Sequence, residues 1–135
     1  MHIFITGASG NIGKAVTKEL LGAGHTILAL ARSDEAAKKL VALGAEVQKG
    51  SLHDLDVLKK AASASDGVIH LGFIHDFSNW VECCQTDRVA IQAMADGLAG
   101  TNRPLIMTSG TLMFPRGQPA TEDDTYDASS GPFEI

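Results

Sequence analysis

Thr6-Gly7-Ala8-Ser9-Gly10-Asn11-Ile12-Gly13 decides how the rest of the chain is read. It follows the apolar run His2 to Thr6 directly. It opens a segment, Asn11 to Ala23, whose apolar residues Ile12, Val16, Leu20 and Leu21 recur at helical spacing, with Gly24 where a helix stop belongs. A strand, a glycine turn and a helix in that order cradle an anion. Gly7 makes the tight turn, Gly10 lets backbone N–H groups approach a pyrophosphate with no Cβ in the way, and Gly13 lets helix and strand pack closely. Unpaired N–H groups and the positive dipole end of the helix favour phosphate, and Ser9, Asn11 and Ile12 lie in the same turn. The G-x-x-G-x-x-G spacing in this setting predicts dinucleotide binding. Gly13-Lys14 invites a P-loop reading, but that motif needs glycine at Ala8 and Ser or Thr at Ala15. Lys14 is then a solvated helix residue.

Outward from this turn, short apolar runs alternate with amphipathic segments, the sign of β-α-β units around a parallel sheet. Thr26 to Ala31 reads as the second strand. Ser33 or Asp34 caps a helix running to about Leu43, and Ala45 to Gln48 forms a short third strand. Asp54 caps the next helix, Gly67 to Gly72 is the fourth strand, a longer helix covers Ser78 to Ala99, and Leu105 to Ser109 is the fifth strand. The predicted architecture is an α/β, Rossmann-type, doubly wound parallel sheet of order 3-2-1-4-5. Beyond Phe114 no period survives: Pro115, Gly117, Pro119, Gly131 and Pro132 punctuate a stretch that also holds Glu122, Asp123 and Asp124. The expected division is residues 1–114 as the nucleotide-binding domain and 115–135 as an irregular acidic tail.

The second strand ends Ala31-Arg32-Ser33. An NAD site places a carboxylate about twenty residues beyond the glycines to hold the ribose hydroxyls. Here Arg32 can fork onto a 2'-phosphate and Ser33 can add a hydrogen bond. A charge-assisted bond of about 1.5 to 3 kcal/mol gives Arg32 a roughly ten- to hundredfold preference for NADP(H), with NAD(H) still admissible. Asp34 and Glu35 reach the ribose instead if the turn is wound differently.

Composition narrows the field. The net charge of -5, with dispersed basic residues, argues against nucleic acid or an anionic membrane as main partner, and the 44% hydrophobic fraction is enough for one core. Cys83 and Cys84 are adjacent, so neither a structural disulfide nor a zinc pattern with His75 fits, and a reducing cytoplasm without a bound metal is expected. No apolar stretch reaches the roughly 20 residues of a membrane span, and the N-terminus lacks the features of a secretion signal.

With T-G-A-S-G-N-I-G, the strand end L-A-R-S, the exit G-S-L-H-D and the strand V-I-H-L-G-F, the chain resembles extended or atypical short-chain dehydrogenases/reductases of the NAD-dependent epimerase/dehydratase kind. The resemblance covers Met1 to about Thr111. It implies that Ser51 and Leu52 lie beside the adenine and that Leu71, Gly72 and Phe73 lie along the nicotinamide-side ribose. The family generally has Asp where Ser51 stands. The resemblance also implies a hydroxyl at the end of the fifth strand that hydrogen-bonds the substrate oxygen. Ser109 and Thr111 are the candidates, although Gly110 can equally occupy that position and both hydroxyls can serve the local backbone.

The family's Tyr-x-x-x-Lys proton-transfer pair has no counterpart. The only tyrosine, Tyr126, is followed four residues later by Ser130 and lies among Asp123, Asp124 and Asp127, which would raise a phenol pKa. The expectation is therefore an NADP(H)-binding Rossmann domain of a dehydrogenase/reductase-like protein, a truncated or non-catalytic form. The alternative is an atypical NAD(P)-dependent oxidoreductase or epimerase whose substrate is unknown. A sheet ending at Leu105-Ile106-Met107 leaves an apolar edge, so a homo-oligomer burying the strand-five side is expected.

Overall fold

The computed structural model describes residues 1–110 together with Pro119, Thr121, Asp123 and Asp124. Its central strand is His2–Thr6 (β1), flanked by Thr26–Ala31 (β2) and Gly67–His70 (β4). Glu46–Lys49 (β3) lies beyond β2 and Leu105–Met107 (β5) beyond β4, so the all-parallel order is β3-β2-β1-β4-β5, as the alternation predicts. Four helices connect them: Asn11–Gly22 (α1), Asp34–Ala42 (α2), Leu55–Ser63 (α3) and Trp80–Leu98 (α4).

The period of two along the strands sends alternate residues to opposite faces. Phe4, Leu30 and Val68 pack against Leu58, Ala61 and Ala62 of α3 and Ala90, Met94 and Leu98 of α4. Ile3, Ile5, Ile27 and Ala29 face the other way, onto a cluster with Leu40 of α2 and Val16 and Leu20 of α1. A sheet covered on both faces explains why its strands read as nearly continuous apolar runs.

Both strands at the β4 end are shorter than predicted. Past His70 only Leu71 N–H, donating to the Thr6 carbonyl at 3.2 Å, continues the ladder, and Gly72 N–H turns to the Thr6 hydroxyl at 3.1 Å. Past Met107 only Thr108 N–H, donating to the His70 carbonyl at 3.1 Å, continues the pairing. Ser33 caps α2 by accepting from Ala36 N–H at 3.2 Å. Asp54 precedes α3 without capping it with its side chain. The α4 region begins with a 3-10 turn, Phe77–Asn79, because the Asp76 carboxylate accepts from Ser78 N–H and the Asn79 amide, both at 3.0 Å.

Arg103 ties the two helices of one face together at their C-terminal ends. Its guanidinium donates to the Ser63 and Ser65 carbonyls at 2.8 and 2.6 Å and to the Gly97 carbonyl at 3.4 Å, where a cation also suits the helix dipoles. On β5, Ile106 and Met107 are 56% and 53% exposed. Apart from four residues, the stretch from Thr111 onward, with Tyr126 and the expected domain boundary, lies outside the described residues.

Candidate functional site

The strand order reverses between β1 and β4, and a crevice at the carboxyl ends of the strands is where a doubly wound sheet holds ligands. A cleft of about 360 Å³ lies there. Gly7, Ser9 and Gly10 form its middle, Arg32, Ser33, Ser51 and Leu52 one end, and Leu71, Gly72 and Phe73 the other. Ten of the thirteen sequence-predicted cofactor residues thus come together from four separate turns, and Asn11, Ile12 and Gly13 do not line the cleft. Leu30, Ala36, His53, Ile74 and His75 complete the lining.

The turn itself is sterically closed to side chains. Gly7 has φ +71°, and a Cβ there would stand 2.6 Å from Gly72 N and 2.7 Å from the Leu71 carbonyl oxygen. A Cβ on Gly13 would stand 2.1 Å from the Gly7 carbonyl oxygen, so Gly13 lies buried beneath the turn and does not line the cleft. Gly10 differs: its backbone is extended, and a Cβ would meet only the Gly7 oxygen, at 3.2 Å. Its outer side is open, as a cradle for a phosphate must be. No side chain caps α1 and no acidic residue occupies its first turn, so the N–H groups of that turn, including exposed Asn11 and Ile12, keep an unopposed positive end.

At the β2 end the neighbouring charges sort themselves. Asp34 pairs with Lys49, and Glu35 accepts from Lys39 at 2.6 Å, a bond that holds the Glu35 carboxyl below its ordinary range. Both carboxylates that could have turned toward a ribose are thereby occupied. Arg32 is exposed at the cleft, and no described residue pairs with its guanidinium. Ser33 accepts a bond as the α2 cap and retains its hydroxyl proton for donation.

Ser51 is committed locally. Its hydroxyl and its N–H both donate to Asp54, at 2.8 and 2.7 Å, while the hydroxyl oxygen accepts from His53 N–H at 3.2 Å. The carboxylate beside the expected adenine position is therefore Asp54, three residues past Ser51.

Composition and motif reading missed a buried chain of hydrogen bonds beneath the β4 end. Thr6 Oγ1 lies 2.6 Å from His70 Nδ1, and His70 Nε2 lies 2.9 Å from Asp87 Oδ1. The carboxylate can only accept, so Nε2 carries the proton of that bond, and Nδ1 and the Thr6 hydroxyl share the second bond. The Thr6 oxygen also accepts from Gly72 N–H. His70, 3% exposed, holds the cleft wall in place from below. Polar Thr6 and His70 ending two otherwise apolar strands are the sequence signal for this pairing.

The candidate substrate-side hydroxyls are less well placed. Ser109 follows β5, is exposed, and does not line the cleft; Thr111 lies outside the described residues. Burial and the nearby Asp87 push the Cys84 thiol up, away from thiolate chemistry. Among the described residues no three His, Cys, Asp or Glu side chains are grouped to hold a metal, and no helix is long and apolar enough to cross a membrane.

Comparison with known proteins agrees with this geometry. The model of the NmrA-like family matches residues 1–85. An uncharacterised protein of Saccharomyces cerevisiae is 51% identical over 132 residues, covering 96% of this chain and 44% of its own. UDP-glucose 4-epimerase from Bifidobacterium longum, solved with NAD+ and UDP, superposes with a TM-score of 0.76 at 18% identity over 98% of this chain and 44% of that one. A short-chain dehydrogenase/reductase superfamily protein from Agrobacterium tumefaciens with bound NAD superposes with a TM-score of 0.72 at 25% identity, covering 94% and 39%. The chain spans less than half the length of each.

The Ser51–Asp54 contact has a pH signature. The Ser51 hydroxyl, then its N–H, hold the Asp54 carboxyl below its ordinary value, so this contact is intact above the ordinary carboxylate range and is lost as pH falls through the depressed value. In Ser51→Ala, the Asp54 titration followed by carboxyl carbon NMR moves upward toward the ordinary value. An unchanged titration contradicts the assignment.

Proposed function

As a chain that belongs to the NmrA-like family and carries its glycine turn, cleft and parallel sheet, this protein, we propose, binds NADP(H) through an N-terminal Rossmann domain of the short-chain dehydrogenase/reductase type. The observation that carries the reading is the lone guanidinium at the end of β2. Arg32 faces the cleft without a carboxylate partner, while the two carboxylates that follow it are held by lysines. That arrangement suits a 2'-phosphate, which the guanidinium grips through two parallel N–H bonds and Ser33 through its hydroxyl.

In this reading, the turn Gly7 to Gly10 and the N-terminus of α1, with Ser9, Asn11 and Ile12, hold the pyrophosphate. Leu52 and the Ser51–Asp54 pair flank the adenine, and Leu71, Gly72 and Phe73 line the second ribose. The bound dinucleotide supplies a hydride donor or acceptor. The chain's own residues supply orientation, and among the described residues those lining the cleft include neither tyrosine nor lysine. In this reading the described residues act in the first place as a cofactor-binding module. A reductase or epimerase activity that uses Ser109 or Thr111 is the second reading, favoured by the likeness to an NAD-bound dehydrogenase/reductase structure.

We also infer self-association of the 135-residue chain through the β5 side, on the exposure of Ile106 and Met107. Two adjacent apolar side chains on an edge strand invite a second copy.

Two measurements test these readings. By calorimetry, NADPH binds about ten- to hundredfold more tightly than NADH, and Arg32→Ala removes that difference with little effect on NADH; equal affinities in the parent chain contradict the phosphate clamp. Light scattering over a dilution series gives a concentration-dependent dimer or larger species, and Ile106→Lys shifts it to monomer. A clean monomer at high micromolar concentration defeats the oligomer.

A further inference from the structure

Two rings line the β4 end of the cleft and two more pack against them, and the dinucleotide reading uses only Phe73 of the four. Phe73 and His75 line the cleft with centroids 5.2 Å apart, edge to face. Phe73 also lies 5.3 Å from Trp80, Trp80 lies parallel to Phe77 at 5.7 Å with 4° between the planes, and Phe77 lies 6.4 Å from His75. Phe77 is 77% exposed, more than any other large apolar side chain described. Water is a poor environment for such a ring, and its neighbours form a surface rather than a core.

This lip is built, not slack. The Asp76 carboxylate gathers Ser78 N–H and the Asn79 amide, the Asp76 carbonyl accepts from Asn79 N–H at 3.1 Å, and the Cys83 thiol donates to the same carbonyl at 3.6 Å. Phe77 and Trp80 are thus set on a turn pinned at both sides. Along the sequence from Leu71 to Asp87 there is no Lys or Arg, and the Asp76 carboxylate stands at the turn that carries Phe77. The Asn79 amide, then Ser78 N–H, hold the Asp76 carboxyl below its ordinary range. A ligand carrying phosphate finds repulsion here, not a partner. An uncharged, flat ligand finds ring faces, and exposed His75 offers a ring nitrogen to a carbonyl oxygen.

We propose that Phe73, His75, Phe77 and Trp80 form a binding site for a planar, uncharged aromatic carbonyl compound at the cleft end beyond Gly72. The inference rests on the dinucleotide reading only for its position beside the second nucleotide. A nucleotide sugar, the nicotinamide ring itself and a second copy of the chain are the competing occupants.

Trp80 is the only tryptophan in the chain, so its fluorescence reports on the lip alone. The probe is 4-phenyl-2-butanone, titrated into the full chain with and without saturating NADPH, with 2-butanone and UDP-glucose as controls. The expected result is a saturable change in Trp80 emission with the aromatic ketone, in both cofactor states, and none with either control. Phe77→Ala weakens the ketone about tenfold and leaves NADPH affinity, measured by calorimetry, within twofold of the parent. Phe77→Tyr, which keeps the ring face, retains the ketone affinity.

Four outcomes overturn the proposal. They are no saturable response to the ketone, a response to UDP-glucose in its place, an equal loss of NADPH affinity in Phe77→Ala, or an emission change that follows protein concentration alone. Failure of NADPH to bind, with the ketone response intact, strikes the dinucleotide reading and leaves the aromatic site standing.

Discussion

No side chain fits between the end of β1, the exit of β4 and the first turn of α1, and the rest of the molecule is arranged around that contact. A Cβ on Gly7 would come within 2.7 Å of the Leu71 backbone, and one on Gly13 would nearly coincide with the Gly7 carbonyl oxygen at 2.1 Å. Approach at this distance is what brings the helix N-terminus over the crevice where the strand order reverses. The Thr6–His70–Asp87 chain fastens the same junction from below, so the glycines and the buried histidine serve one purpose. Thr6 supplies the carbonyl and hydroxyl that hold Leu71 and Gly72 as they leave the sheet.

The constraint explains which parts of the fold the amino-acid pattern reveals. Strands buried on both faces must be apolar along their length, and His2–Thr6 and Thr26–Ala31 have the limits their residues suggest. Ser33 stands where an N-cap is needed and caps α2. Strand ends at the cleft are less readable. Apolar Leu71 continues the pattern of β4, yet the Thr6 side chain draws the backbone out of the ladder at Gly72. A pattern of residue types records which face is buried and carries no trace of one hydroxyl competing for an N–H group.

The site shows the same division. Gly7, Gly10, Arg32, Ser33 and Leu71 to Phe73 converge on one cleft because each follows a strand at its carboxyl end, a relation visible from order alone. Pairings across long sequence separations are not visible. Asp87 reaching His70 depends on how α4 crosses the sheet, and the commitment of Ser51 to Asp54 depends on the course of one loop. The aromatic lip was hidden for a related reason. Phe73, Phe77 and Trp80 look like ordinary core material when counted, and only the exposure of Phe77 and His75 and the shared ring contacts mark the group as a surface.

The central claim is that the open side of Gly10 is where a pyrophosphate sits, and Gly10→Val tests it most directly. The backbone there is extended and suits a branched residue, and a Cβ has only one close neighbour, so the variant keeps its circular dichroism spectrum and cooperative unfolding. Calorimetry with NADPH should then show affinity reduced at least about a hundredfold, because the side chain fills the space the phosphates require. A folded Gly10→Val chain that binds NADPH as tightly as the parent would contradict the account.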